Sequence, residues 1–212
     1  MNTTPTPMRY QARRSVIGVD MPVARALPYR QRRSVGAWCF LDHAGPVQFA
    51  AGQGMHVGSH PHIGLQTFTW MIEGEIVHRD SLGHEQIIRP GQVNLMTAGS
   101  GIAHTEDSLT DGARLHAAQL WIALPEAERR RAPAFDHYPD LPVVTVGGFS
   151  ATVLAGTALG QTSPAAVYSP LMGVDLAAGG AAHASVPLRA DFEYALVALQ
   201  GAASAAGERI EP

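Results

Sequence analysis

The chain has 212 residues, a formal net charge of −3, and 46% hydrophobic against 16% charged residues. This balance excludes wholesale disorder and leaves apolar material for one large or two small cores. The slight acidity argues against direct nucleic-acid binding, which calls for a basic patch. One cysteine, Cys39, excludes an internal disulfide and a cysteine-based zinc site, and the absence of lysine excludes Schiff-base and P-loop chemistry.

The stretch up to Arg33 carries seven arginines against one acid, Asp20. Ile17-Gly18-Val19, Pro22 and Pro28 interrupt the amphipathic helix of a transit peptide, so the arginines are expected on a solvated strand face. No run approaches the roughly 18 apolar residues of a membrane span, and no apolar signal core is present. The expected location is cytoplasmic. Cys39, between Trp38 and Phe40, reads as core packing, and Asp42-His43-Ala44-Gly45-Pro46 reads as a turn.

Thr67–Ile72 has the β-branched and aromatic content of a strand closed by Glu73-Gly74. Ile76–His78, a turn at Asp80–Gly83 and Gln86–Ile88 then read as a hairpin. Pro90-Gly91 turns the chain into Val93–Met96, and Ala118–Leu124 reads as a further strand. Pro125 to Pro142 shows no strand pattern and reads as a linker opening with a short helical turn at Glu126–Arg131. Beyond it, Val143–Val146 and Phe149–Leu154 form a hairpin pattern, followed by strands at Val174–Leu176, Ala184–Val186 and Tyr194–Leu199. Short strands at this spacing indicate an antiparallel sandwich or barrel. The apolar runs closed at Gly74 and Gly201 suggest two copies of one β-architecture.

Seven of the ten histidines fall between His43 and His104. In a chain almost free of cysteine they point to a nitrogen- and oxygen-liganded metal. Residues i and i+2 of a strand share a face, so His60 and His62 can point inward together, as can His104 and Glu106. If the two strands are neighbours, three imidazoles and one carboxylate converge, a set that suits a first-row divalent metal with open positions. The alternative places His60 and His62 on a polar surface loop and His104 in the core. Pro61 removes a ladder donor and is expected at an edge or rim, and Gly99-Ser100-Gly101 lets the backbone turn close to the site. His56 is a spare ligand or a rim residue. His78 and His84 flank a turn, exposed or in contact with the ligands, and His43 serves its turn or lines the cavity. His116, His137 and His183 show no partner pattern.

Gly54, five residues, His60-Pro61-His62 and the closing Gly74 together resemble the first cupin motif. Gly91 followed by Thr97-Ala98-Gly99-Ser100-Gly101-Ile102-Ala103-His104 resembles the second motif in its pirin form. Asp42–Pro46 and His78-Arg79-Asp80-Ser81-Leu82-Gly83 also resemble pirin signatures, so the resemblance is specific over residues 35–125. It implies an all-β cupin fold, the double-stranded β-helix or jelly-roll barrel, arranged as a bicupin. The N-terminal metal-binding domain would span 1–125, the linker 126–142, and a partial C-terminal cupin-like domain 143–212.

The resemblance further implies one metal, expected to be Fe(2+), held by His60, His62, His104 and Glu106. The same donors accept Mn, Co, Ni, Cu or Zn. The implied activity is dioxygenase cleavage of a flavonol such as quercetin, with dioxygen as co-substrate and Glu106 as the catalytic base. The alternative is a redox-responsive metal-binding regulator with a protein partner, and a metal-free structural barrel is the third reading. Two departures stand out. Gln66 replaces the glutamate usual after the histidine pair, which removes a charge there. The sequence also stops at Gly207–Pro212, earlier than the family pattern, so a truncated C-terminal barrel with open edges is expected.

Overall fold

The computed structural model describes residues 7–19 and 21–212. Residues 1–6 of the expected first domain, and Asp20, lie outside the described residues. The described chain forms strands and turns without a helix, and so has no helix long and apolar enough to cross a membrane. The first eleven strands are β1 (Arg13–Ile17), β2 (Met21–Leu27), β3 (Trp38–Gln48), β4 (His56–His62), β5 (Leu65–Glu73), β6 (Ile76–Asp80), β7 (Glu85–Ile88), β8 (Val93–Thr97), β9 (Ile102–Ser108), β10 (Arg114–Ala123) and β11 (Ala134–Tyr138). They make a seven-stranded sheet, β1-β2-β3-β10-β5-β8-β11, and a four-stranded sheet, β4-β9-β6-β7. All their pairings are antiparallel.

The two sheets face one another as a jelly-roll barrel. Met21, Val23, Ala44, Met71, Leu115 and Ala117 of the large sheet pack with Ile76 and Ile88 of the small one. The expected solvated face exists on β1, where Arg13 and Arg14 are exposed.

β5 is buried on both sides, which explains why Phe68, Trp70 and Met71 place large apolar side chains on both of its faces. Thr69 and Met71 point into the barrel. Phe68 and Trp70 point outward and, with Val93, Leu95, Ala118 and Ile122, pack against Leu154, Ala155, Ala165 and Leu171 of the second unit. That unit contains β12 (Val143–Val146), β13 (Phe149–Ala155), β14 (Thr157–Ala158), β15 (Gln161–Thr162), β16 (Gly173–Ala177), β17 (Ala203–Ala205) and β18 (Glu208–Ile210). β12-β13-β16 form a three-stranded sheet, and β14-β15 and β17-β18 are separate two-stranded pairs. Polar ties cross the junction: Trp38 Nε1 donates to Met172 O at 3.1 Å, and Ser169 Oγ to Ala123 O at 2.8 Å.

Three local expectations need correction. Asp42–Pro46, expected as a turn, lies within β3, where Asp42, His43 and Ala44 pair with both β2 and β10. The stretch from Pro125 to Pro142 contains β11, which pairs residue by residue with β8. Its signal was hidden because Asp136 and His137 interrupt the apolar pattern. The stretch opens with the expected short helical turn at Glu126–Arg131, where Arg129 N and Glu128 N both bond to Pro125 O, and the turn is not continued into a helix. Ala184–Val186 and Tyr194–Leu199 are not strands, for no neighbouring strand among the described residues offers them a hydrogen-bonding ladder. The run before Gly201 therefore does not repeat the strand before Gly74.

Candidate metal centre

β4 and β9 lie side by side, with His60 directly opposite His104 and His62 opposite Ile102. β6 flanks β9 on its other side, setting His78 opposite Glu106 and Asp80 opposite His104. β4 is an edge strand, as Pro61 requires. Ala103, opposite Pro61, gives both its backbone groups to Ser81, so the proline nitrogen faces the open edge and no ladder bond is lost.

The rings of His60, His62 and His104 approach to 4.9, 4.4 and 5.1 Å between centroids. One ligand atom from each lies within 4.8 Å of the other two, and His78, His104 and Glu106 form a second such group that shares His104. His60 Nδ1 bonds to Gly58 O at 2.9 Å, which leaves its Nε2 as the bare nitrogen. His104 Nε2 is buried with no hydrogen-bond partner. Such an orphaned nitrogen is costly unless something outside the chain takes its lone pair.

Electrostatics point the same way. Burial and the neighbouring His60, His78 and His62 hold His104 down to about 2; burial and His60 hold His62 down to about 4. Both imidazoles are therefore neutral, as metal ligation requires. Burial pushes the Glu106 carboxyl up to about 7, with Thr69 opposing and Asp107 adding to the rise. Thr69 Oγ1 lies 3.3 Å from Glu106 Oε1 and 2.8 Å from Gln119 Oε1, so one hydroxyl hydrogen serves both acceptors. A buried carboxyl short of donors, grouped with His78 and His104, fits a divalent cation, whose charge reverses the cost of ionising it.

An aromatic wall adjoins the cluster. Trp121 meets His62 edge to face at 5.0 Å and stacks on Phe40 at 4.0 Å. Arg25 lies 4.8 Å over the Phe40 ring and binds the buried Asp42 through two hydrogen bonds of 2.8 and 2.7 Å.

The remaining histidines sort by strand parity. A register shift between Val57 and His60 turns His56 outward to Asp107 at 3.1 Å, away from the cluster. His84 is on the surface, bonded to Asp80. His43 is buried and pairs with His116, Nε2 to Nε2 at 2.8 Å. His137 bonds to Asn94. Cys39 is half-buried, its thiol toward the Trp121 carbonyl. Gln66 points away from the cluster and joins the two units, donating to Thr97 Oγ1 and Ala166 O. His78 is buried against His104 rather than exposed. Its spacing to Asp80 is the same i, i+2 signal that picked out the other two pairs.

The pirin family model matches residues 20–122. A Pseudomonas aeruginosa protein provisionally named a quercetin 2,3-dioxygenase is 58% identical over 200 residues, covering 94% of this chain and 64% of its own length. A pirin-like protein of Caulobacter vibrioides is 45% identical over 170 residues, covering 76% of this chain and 59% of its own. The crystal structure of quercetin 2,3-dioxygenase from Acinetobacter baumannii matches with a TM-score of 0.93 at 56% identity, over 95% of this chain and 68% of that one. The chain thus spans about two thirds or less of the length of these relatives.

Proposed function

The chain belongs to the pirin family, and from that premise we propose that it is a metal-dependent dioxygenase that opens the ring of a flavonol of the quercetin type. The observation that carries the proposal is the cluster of His60, His62 and His104, with His104 Nε2 left without a partner and the buried, donor-poor Glu106 carboxyl grouped with that same His104. The names of the Pseudomonas and Acinetobacter relatives support the substrate class.

His60, His62, His104 and Glu106 would hold the metal, proposed to be Fe(2+). Bound there, a divalent metal supplies Lewis acidity toward a substrate hydroxyl and the electron-transfer chemistry that dioxygen requires. The chain's own residues account for binding and proton movement. Trp121 and Phe40 give a flat aromatic substrate a face to pack against beside His62. Glu106 receives the proton of the substrate hydroxyl at a carboxylate oxygen. Thr69 bonds only to Oε1, which leaves the second carboxylate oxygen free to take the proton when the carboxylate loosens from the metal.

Metal analysis of the purified chain, combined with oxygen uptake on adding quercetin, tests the reading. We expect about one metal per chain on this four-donor set, and uptake that is lost in His62→Ala. A variant that turns over normally would overturn it.

A further inference from the structure

His78 is not among the four expected ligands, yet it is 2% exposed and held from three sides. Phe135 of β11 stacks on its ring at 4.4 Å with the planes 17° apart. Its Nδ1 lies 3.2 Å from His104 Nδ1, and its Nε2 3.4 Å from Asp80 Oδ2. The Asp80 carboxylate is wholly enclosed. It collects the backbone N–H groups of Leu82 and His84 on Oδ1, at 2.8 and 3.2 Å, and the His84 ring on Oδ2 at 2.9 Å. Asp80, His78 and His104 thus form one row whose far end is the partnerless His104 Nε2.

The two ends of the row set its polarity. A carboxylate gathering N–H donors is acceptor-only, so His78 must present Nε2–H to it. A neutral imidazole carries one ring hydrogen. His78 Nδ1 is therefore a lone pair that accepts from His104 Nδ1–H, and His104 Nε2 is left bare. The reverse order would set a lone pair of His78 against the carboxylate and strand a hydrogen on His104 Nε2 with no acceptor.

We propose that His78 is a positioning residue of the metal centre: it connects the Asp80 carboxylate to His104 and holds His104 in the tautomer whose Nε2 is free to bind metal. The inference rests on the metal-centre reading above. Carboxylate partners that orient metal-ligating histidines do this directly in many sites; here the row is one imidazole longer.

Nitrogen NMR of the histidine rings in the metal-free chain reads the tautomer, and competition with a chelator for Ni(II) reads affinity. The native chain should show His104 as Nδ1–H. In Asp80→Asn the two backbone N–H bonds keep the amide oxygen, so the NH2 turns to His78 and reverses the row. His104 should switch to Nε2–H, and Ni(II) affinity should fall about 10- to 100-fold. His78→Phe keeps the stack on Phe135 and should weaken Ni(II) by a similar factor. His78→Gln, whose amide both accepts and donates, should recover most of the affinity.

Native tautomer and native affinity in Asp80→Asn would overturn the proposal. So would unchanged affinity in a folded His78→Phe. If His78→Phe does not fold, Asp80→Asn and His78→Gln decide. A native chain whose Ni(II) uptake is absent, or survives His62→Ala, would sink the metal-centre reading instead, and the tautomer measurement still judges the row.

Discussion

Gln66 is wholly buried, and its amide nitrogen donates to Thr97 Oγ1 and to the Ala166 carbonyl at 2.9 and 3.0 Å. In Gln66→Glu an oxygen would face that carbonyl, and a buried carboxyl would gain no counter-charge. We expect a loss of about 2–4 kcal/mol in urea denaturation with metal affinity unchanged, because the side chain faces away from the centre. A second residue-scale effect comes from imidazoles. Burial and the nearby His116 hold His43 down to about 4, and burial lowers His116 as well. The unfolded chain titrates near 6.5 and so binds more protons between about pH 6.5 and 4, and the folded state loses stability as pH falls through that window. His62 and His104 act in the same direction when no metal is bound. Glu106 acts in the opposite one: with its folded value raised to about 7, its contribution is lost as pH rises from about 4.5 to 7. Denaturation midpoints at pH 7 and pH 5 should therefore drop on the acid side, and His43→Gln should reduce the drop. A flat profile between those values would contradict the assignment.

β11 closes the edge of the seven-stranded sheet and brings Phe135 onto His78, so a stretch expected to be a plain linker forms part of the wall of the centre. Phe135→Ala removes that wall from a partly buried position. The expected cost is about 2–3 kcal/mol, below that of a fully enclosed phenylalanine, with weaker Ni(II) binding because His78 is no longer held. Native affinity in a destabilised Phe135→Ala would show the strand to be structural only. The turn from β8 to β9 carries a different constraint. Gly99 has φ of +50°, and a Cβ there would collide with the Arg131 carbonyl. Gly99→Ala should therefore cost about 1–3 kcal/mol in thermal denaturation. The β-rich reading, the hairpin at Asp80–Gly83 and most strand cores were legible from short-range pattern alone. β2, β3 and β11 were not, since burial on two faces or interruption by polar residues erases the period-2 signal, and the two- and three-residue strands β14, β15, β17 and β18 are too short to carry one.

The outer face of the large sheet is covered by the second unit, with Phe68, Trp70 and Leu95 against Leu154 and Leu171. Neither face can be solvated without exposing a shared apolar core, so the two units should unfold together. Far-ultraviolet circular dichroism and tryptophan fluorescence should give coincident transitions. Leu171→Ala should shift both by the same amount, a loss of about 2–4 kcal/mol. Two separated transitions would show the units to be independent.

Side-chain parity along single strands is a local property, so the pairs His60/His62 and His104/Glu106 could be read directly from the sequence, as could the turn chemistry around them. The pirin motifs around these residues carried the fold class the same way. Which strands become neighbours is a non-local property. Only the tertiary structure set β9 between β4 and β6, placed His78 and Asp80 behind His104, turned Gln66 toward the second unit and sent His56 outward through a register shift. Those placements depend on burial of both sheet faces and on ladder partners distant in the chain, which no local pattern encodes.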